Sequence, residues 1–314
     1  MAKRKLAIGI DLGGTNIKYG LADVRGKVIL SFQSKSPAKE SPEACMEAII
    51  DSAAKLLECA EKLKSQVTVI GVGSPGGIDI KSGLVTGTTP NIPGWLGMNI
   101  KKSVEKAFAF KIPCFADNDA NLFLLAESVY GAAKGYSHVV GLTVGTGIGG
   151  ALLLDGEIYR GHGFVGTELG HIPIIMNGRK CKCGLKGCLE TYANTNAIKI
   201  RYRKYPGADK SLNTRELFAL AKSGDKYAND SLDKWCEYLS VGIASAVNLL
   251  NPELVLIGGG VAESGRFLQR KIEKALEGKL LPDSAKLVKI RTARLGNKAG
   301  WLGAVVFARG MGKG

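Results

Sequence analysis

Through the first half of the chain, apolar residues come in short runs broken by glycine-bearing turns; in the second half most of them recur at helical spacing. Residues 6–11, 17–23 and 27–35 predict three consecutive strands joined by tight turns. Residues 41–64 carry apolar positions at helical spacing behind Ser41-Pro42-Glu43, a helix start signal. Val67–Gly73 predicts a buried strand. The Gly/Pro/Thr/Asn-rich stretch from Ser74 to Gly97 is too long for a plain connection and is expected to line a site. The pattern then predicts a helix at 99–109, a strand at 112–117, a helix from Asp119 to Gly131, and strands at 138–146 and 148–160. Helices follow at 214–223, 227–250, 264–277 and 298–309, with strands at 253–258 and 287–292 between them.

This order predicts an α/β protein with two lobes that open alike, DLGGTN at 11–16 in the first being echoed by VGTGIGG at 144–150 in the second. Residues 1–118 with the C-terminal helix 298–314 are expected to form the small lobe. Residues 119–297, including a metal-binding segment at 171–188, form the large one. A length of 314 residues suffices for two such cores.

Composition narrows the class. The net charge of +15 invites a nucleic-acid reading, but Lys and Arg are spread along helix faces, aromatics are sparse and no nucleic-acid motif is present. The first reading of the charge is solvated lysines on helix faces; a basic field would also attract ATP, polyphosphate or other anionic partners. The most apolar stretch, 139–154, is interrupted by Thr and repeated Gly and reads as paired strands, so no membrane association is expected. The basic start MAKRK runs straight into LAIGID without a signal-peptide core, which points to the cytoplasm. Of seven cysteines, Cys45, Cys59, Cys114 and Cys236 are scattered and expected to be reduced thiols, whereas the other three crowd into eight residues.

Those three complete the sharpest chemical pattern. His171, Cys181, Cys183 and Cys188 give H-x9-C-x-C-x4-C, one imidazole and three thiolates, the donor set of a closed tetrahedral Zn²⁺ site. A metal there would fix the His171 tautomer and leave its other nitrogen able to donate to a hydroxyl. Glu168 and Glu190 flank the knot, and carboxylates beside a rigid site suit sugar hydroxyls.

Phosphate handling is suggested by the two glycine turns. In the first, backbone amides at Gly13 and Gly14 can approach a phosphate, Thr15 and Asn16 add side-chain hydrogen bonds, and Asp11 could hold Mg²⁺. The turn lacks a Walker lysine and leads into a strand, and from this piece alone an ordinary hairpin reads equally well. Gly145, Thr146 and Gly147 offer the same choice. Gly258-Gly259-Gly260 ends a strand and either admits a flat base or simply turns the chain. Asp119, in Asp117-Asn118-Asp119, is either a helix cap or a carboxylate that takes a proton from an attacking hydroxyl.

Taken together, DLGGTN, GVGSPGGID, TPNIPGW, DNDAN, VGTGIGG, ELGH, CKCGLKGCLE and NPELVLIGGGV resemble, in order and spacing, the ROK family of bacterial sugar kinases, its glucokinases most of all. The resemblance runs from residue 8 to the terminal helix and implies a two-lobed, actin-like (ribonuclease H-like) ATPase fold with sugar and ATP in the interlobe cleft. It implies ATP-dependent phosphorylation of a hexose at the 6-hydroxyl, glucose first, with Asp119 as base. Gly76, Gly77, Asn91, Asn118, Asp119, Glu168, His171 and Glu190 would bind the sugar. Asp11, Gly13, Gly14, Thr15, Asn16, Lys18, Gly145, Thr146 and Gly147 would hold the ATP phosphates with Mg²⁺, and Gly258, Gly259 and Gly260 would lie by the nucleoside. His171, Cys181, Cys183 and Cys188 match the family's zinc ligands, and a homodimer is the expected assembly.

The alternatives are a kinase for mannose, N-acetylmannosamine or another hexose, a polyphosphate-using glucokinase, or a catalytically silent sugar-binding protein. The family's repressors carry a helix-turn-helix domain ahead of the core, and only seven residues precede Ile8 here. One departure stands out. Asn194-Thr195-Asn196 replaces the family's Ser/Gly-rich step after CLE, a change expected to touch local sugar contacts and not the reaction.

Overall fold

Strand β1 (Lys5–Leu12) is buried along nearly its whole length, because partners cover both of its edges and both of its faces. In the computed structural model, which describes residues 3–87 and 89–312, the chain continues through β2 (Asn16–Asp23), β3 (Val28–Lys35), α1 (Pro42–Lys62) and β4 (Gln66–Ser74). The short pair β5 (Ile78–Asp79) and β6 (Leu84–Val85) lies inside the long loop, followed by α2 (Ile100–Ala107), β7 (Cys114–Asn118) and α3 (Asp119–Tyr130). The start of α1 follows its sequence signal: Ser41 Oγ accepts from the Ala44 N–H at 3.0 Å with Pro42 just behind it.

The second set comprises β8 (Val139–Val144), β9 (Ile148–Leu154), β10 (Glu157–Tyr159), α4 (Leu189–Ala193), α5 (Thr195–Tyr202), α6 (Thr214–Lys222) and α7 (Lys226–Leu250). It ends with β11 (Leu254–Gly258), α8 (Arg266–Leu276), α9 (Pro282–Leu287) and β12 (Lys289–Thr292), before α10 (Ala299–Met311) closes the chain. What the pattern reads as one strand at 148–160 is a hairpin: Asp155 and Gly156 take positive φ and turn β9 back into β10. The helices α4, α5 and α9 were not legible, being only five to eight residues long.

The two sheets have the same topology. The first runs β3-β2-β1-β4-β7 and the second β10-β9-β8-β11-β12. In each, an antiparallel meander occupies one side and parallel strands the other, so each glycine turn joins the corresponding pair, β1–β2 or β8–β9. Each sheet has its own apolar core, one around Ile8, Ile10, Ile49 and Leu56, the other around Val140, Trp235, Leu239 and Val255.

One compact unit comprises the chain up to Tyr130, Arg160–Gly166 and the chain from Asn297 onward; the other comprises Gly131–Tyr159 and Thr167–Gly296. The sequence reading divides the chain between residues 118 and 119, whereas α3 stays with the first unit. Leu122 on α3 packs with Ala304 and Phe307 on α10, and Gly303 sits so close to the Leu122 carbonyl that a side chain would not fit. Among the described residues, no helix is long and apolar enough to cross a membrane.

Candidate active site

The junction between β7 and α3 has no connecting residue: the strand ends at Asn118 and the helix begins at Asp119. Parallel pairing of Gly73 with Asp117 and Ser74 with Asn118 brings the start of the long loop beside this junction. Asn118 Nδ2 donates to the Gly76 carbonyl at 3.0 Å, while its Oδ1 accepts from the Ala120 and Asn121 amides at 2.9 and 3.3 Å. Asn118 therefore does the capping that the sequence left open to Asp119. The Asp119 carboxylate is oriented by the Ala120 amide, which donates to Oδ1 at 2.9 Å.

Two side-chain contacts support this region. Trp95, fully buried in the PNIPGW segment, donates from Nε1 to Ser74 Oγ at 2.8 Å and pins the long loop to the end of β4. Arg160 forms an ion pair with buried Asp117, through Nε at 3.0 Å and Nη2 at 2.7 Å to Oδ2.

In the first glycine turn, the Gly13 N–H donates to the Asn16 carbonyl at 3.0 Å. Gly14 lies beside Asn91, whose Cβ is 3.8 Å from where a Gly14 Cβ would stand. Gly14 and Thr15 are exposed. Asp11 and Lys18 are cross-strand partners, and Lys18 Nζ donates to Asn297 Oδ1 at 3.0 Å. Burial raises the Asp11 pKa to about 6, and Lys18 pulls it partly back. The carboxylate presses against Gly300 in the first turn of α10, in the space that a side chain there would need.

The cysteine knot lies in the second unit. A ring nitrogen of His171 and the Sγ atoms of Cys181, Cys183 and Cys188 all fall within 4.8 Å of one another. Cys181 Sγ lies 3.7 Å from His171 Nδ1, and Cys183 Sγ lies 3.7 Å from Cys188 Sγ. Thiolates around a tetrahedral ion with metal–sulfur bonds of about 2.3 Å would be about 3.8 Å apart, so the donor set and its dimensions fit a metal ion. Burial, together with the neighbouring Cys183 and Cys181 thiols, pushes the Cys188 thiol up to about 12.

Glu168 and Glu190 flank the knot in space as in sequence. The Glu168 carboxyl is closely surrounded although the residue as a whole is exposed; burial raises its pKa, the adjacent His171 lowers it and Glu190 raises it. Glu190 Oε2 accepts from the Ile148 amide at 2.8 Å, beside Gly147.

The same turn opens on its other side into a cavity of about 480 Å³ lined by Gly145, Thr195, Phe218, Ala219, Val261 and Gly260, among others. Gly258 ends β11, and Gly259 turns the chain with φ +79°, leaving Gly260 at the cavity wall. Of the departure at 194–196, Thr195 lines this cavity. Thr195 Oγ1 and N donate to the Gly145 carbonyl at 2.8 and 2.9 Å, and Asn194 Oδ1 caps α5 through the Ala197 amide at 2.9 Å. Phe218, on the buried face of α6, reads in sequence as a core residue, and the exposed Ala219 beside it carries no signal. The candidates thus form two sets: Asp11 to Lys18, Gly76, Gly77, Asn91, Asn118 and Asp119 in the first unit, and Gly145 to Gly147, Glu168, the knot, Glu190 and Gly258 to Gly260 in the second.

A glucokinase of Thermotoga maritima is 33% identical to this chain, with 97% of each sequence aligned. The structure of a ROK family glucokinase from Streptomyces griseus, in complex with glucose and AMPPNP, superposes with a TM-score of 0.86 at 30% identity, covering 97% of this chain and 99% of that one. A ROK hexokinase structure from Thermus thermophilus superposes with a TM-score of 0.78 at 35% identity, covering 98% and 99%. The fold is the two-lobed, actin-like sugar-kinase fold anticipated from the motifs. The ROK family model matches residues 7–311, and the chain belongs to the ROK family.

Proposed function

We propose that this chain is an ATP-dependent hexose kinase that converts glucose to glucose 6-phosphate. The observation that carries this reading is the β7–α3 junction. Asn118 takes the capping work and ties itself to Gly76, so that Asp119 is held at the helix start as a proton acceptor. The close similarity to proteins named glucokinases supports glucose as the hexose.

Sugar hydroxyls meet Asn91, Asn118, the backbone at Gly76 and Gly77, Glu168, His171 and Glu190, an alternation of acceptors and donors suited to a polyol. Asp119 takes the proton of the 6-hydroxyl as that oxygen bonds to the γ-phosphorus and the bond to the ADP bridging oxygen breaks. The amides of the Gly13–Gly14 and Gly145–Gly147 turns, with Lys18, hold the phosphates. The cavity beside Gly145 and Gly260 takes the nucleoside, its base against Phe218, Ala219 and Val261. Asp11 would hold Mg²⁺, which neutralises phosphate charge when bound.

His171, Cys181, Cys183 and Cys188 would hold a structural Zn²⁺ with all four positions filled, bracing the chain without taking part in the reaction. With Nδ1 of His171 turned toward the sulfurs, Nε2 is the nitrogen left to donate to a sugar hydroxyl. A homodimer in the cytoplasm completes the reading.

The test is ADP release with Mg-ATP, and separately phosphoryl transfer from polyphosphate, across glucose, mannose, N-acetylmannosamine and fructose. Turnover on glucose with ATP that falls by about 10²–10⁴-fold in Asp119→Asn, with glucose binding retained, is expected. Turnover on another sugar alone corrects the substrate. No turnover with either donor on any sugar overturns the kinase reading.

A further inference from the structure

Arg160 lies outside every motif, in the segment Arg160–Gly166 that packs within the first unit although the residues on either side of it belong to the second. It meets Asp117, a carboxylate with 1% of its surface exposed. A buried carboxylate is costly unless paired and fully hydrogen-bonded, and this one is. Oδ2 accepts from Arg160 Nε and Nη2 at 3.0 and 2.7 Å, while Oδ1 accepts from the Asn118 amide at 2.7 Å and from Asn121 Nδ2 at 3.2 Å. The guanidinium is itself held in place, 5.5 Å from the centre of the Phe307 ring on α10.

The rest of the segment is fastened beside the sugar-side loop. Thr86 Oγ1 donates to the Gly163 carbonyl at 3.3 Å, the Gly166 amide donates to the Arg160 carbonyl at 2.9 Å, and Val165 fills the space that side chains on Gly77 and Gly87 would need. Arg160 is thus tied to the loop carrying Gly76 and Gly77 and, through Asp117, to the turn carrying Asn118 and Asp119. The guanidinium fork binds one carboxylate oxygen and so leaves the other to fix the Asn118 peptide. The orientation of that peptide sets where the Asp119 side chain begins.

We propose that Arg160 is a positioning residue for the phosphoryl transfer: by clamping Asp117 it holds the Asn118–Asp119 turn in register with Gly76, so that the base meets the attacking hydroxyl. This rests on the hexose-kinase reading. It assigns no proton or charge transfer to Arg160 itself. Its effect should appear in kcat, because a displacement of the base by about 1 Å costs about 10²-fold in rate while nucleotide contacts elsewhere are untouched.

The experiment is steady-state kinetics and thermal unfolding on the full chain for Arg160→Met, Arg160→Lys and the wild type, with and without added guanidinium. The wild type alone tests the kinase reading, and the variants test the inference. Arg160→Met is expected to lose about 10²-fold in kcat with the KM for Mg-ATP unchanged, and to regain part of it with guanidinium but not with an alkylammonium ion. Arg160→Lys, which keeps the charge but not the fork, is expected to fold and to lose about tenfold. Wild-type kcat in a folded Arg160→Lys or Arg160→Met overturns the proposal. So does a kcat loss in Arg160→Met that guanidinium leaves unchanged. Should Arg160→Met not fold, Arg160→Lys decides alone.

Discussion

Glu190 accepts a hydrogen bond from the Ile148 amide at 2.8 Å, and the same Oε2 lies 2.5 Å from the position a Cβ on Gly147 would take. A residue proposed for the sugar and a turn proposed for the phosphates therefore share one contact, and Gly147 is small because Glu190 occupies its side-chain space. Gly147→Ala should leave the fold intact, since only the end of a side chain must move. It should raise the KM for the hexose by about tenfold, the cost of one misplaced charged hydrogen bond. An unchanged hexose KM in the folded variant would show that the Glu190 position is immaterial to binding.

Asp11 gives a pH-dependent stability with a definite sign. Its pKa rises from 3.8 in the unfolded chain to about 6 in the folded one, chiefly through burial. The stability tied to its protonated form is complete below about pH 4 and lost as pH rises through about 6. Asp11→Asn removes this titration. Without nucleotide or Mg²⁺, the variant should be more stable than wild type at pH 7, by on the order of 2–3 kcal/mol, and should approach it near pH 4. Denaturant unfolding at the two pH values checks this, and equal differences at both would contradict it. The same variant should lose turnover with Mg-ATP.

Gly300 tests the same carboxylate from the other side. A methyl group there would overlap Asp11, so Gly300→Ala should raise the KM for Mg-ATP while the hexose KM stays near wild type. Steady-state kinetics with each substrate varied in turn separates the two.

The cysteine knot should carry one zinc per chain by metal analysis, and Cys188→Ser should lose it. That loss should lower the unfolding temperature and raise the hexose KM through His171 and Glu190, with the ATP KM little changed. A metal-free wild type with the same unfolding temperature before and after chelation would refute the bracing role.

The cavity beside Gly145 makes the nucleoside reading testable without touching the phosphates. Ala219→Trp fills it from α6 and should raise the ATP KM at least tenfold, about 1.4 kcal/mol, with hexose binding unchanged by calorimetry.

What the sequence determined by itself is what short range can encode. The spacing of His171, Cys181, Cys183 and Cys188 is enough to name a candidate metal site, because its four donors lie within one stretch of chain that glycines allow to fold back. The two glycine turns were legible because each sits between two apolar strands, and apolar periodicity found those strands and the longer helices. Tertiary structure alone decided the rest. Arg160 reaches Asp117 across 43 residues of sequence, Gly300 meets Asp11 only because α10 returns to the first sheet, and Thr195 serves Gly145 because α5 starts beside that turn. An arginine and a glycine in such positions look ordinary in a linear reading, and a threonine that departs from the family pattern does not reveal its partner there. Their roles come from burial and direction, which only the packing of distant segments supplies.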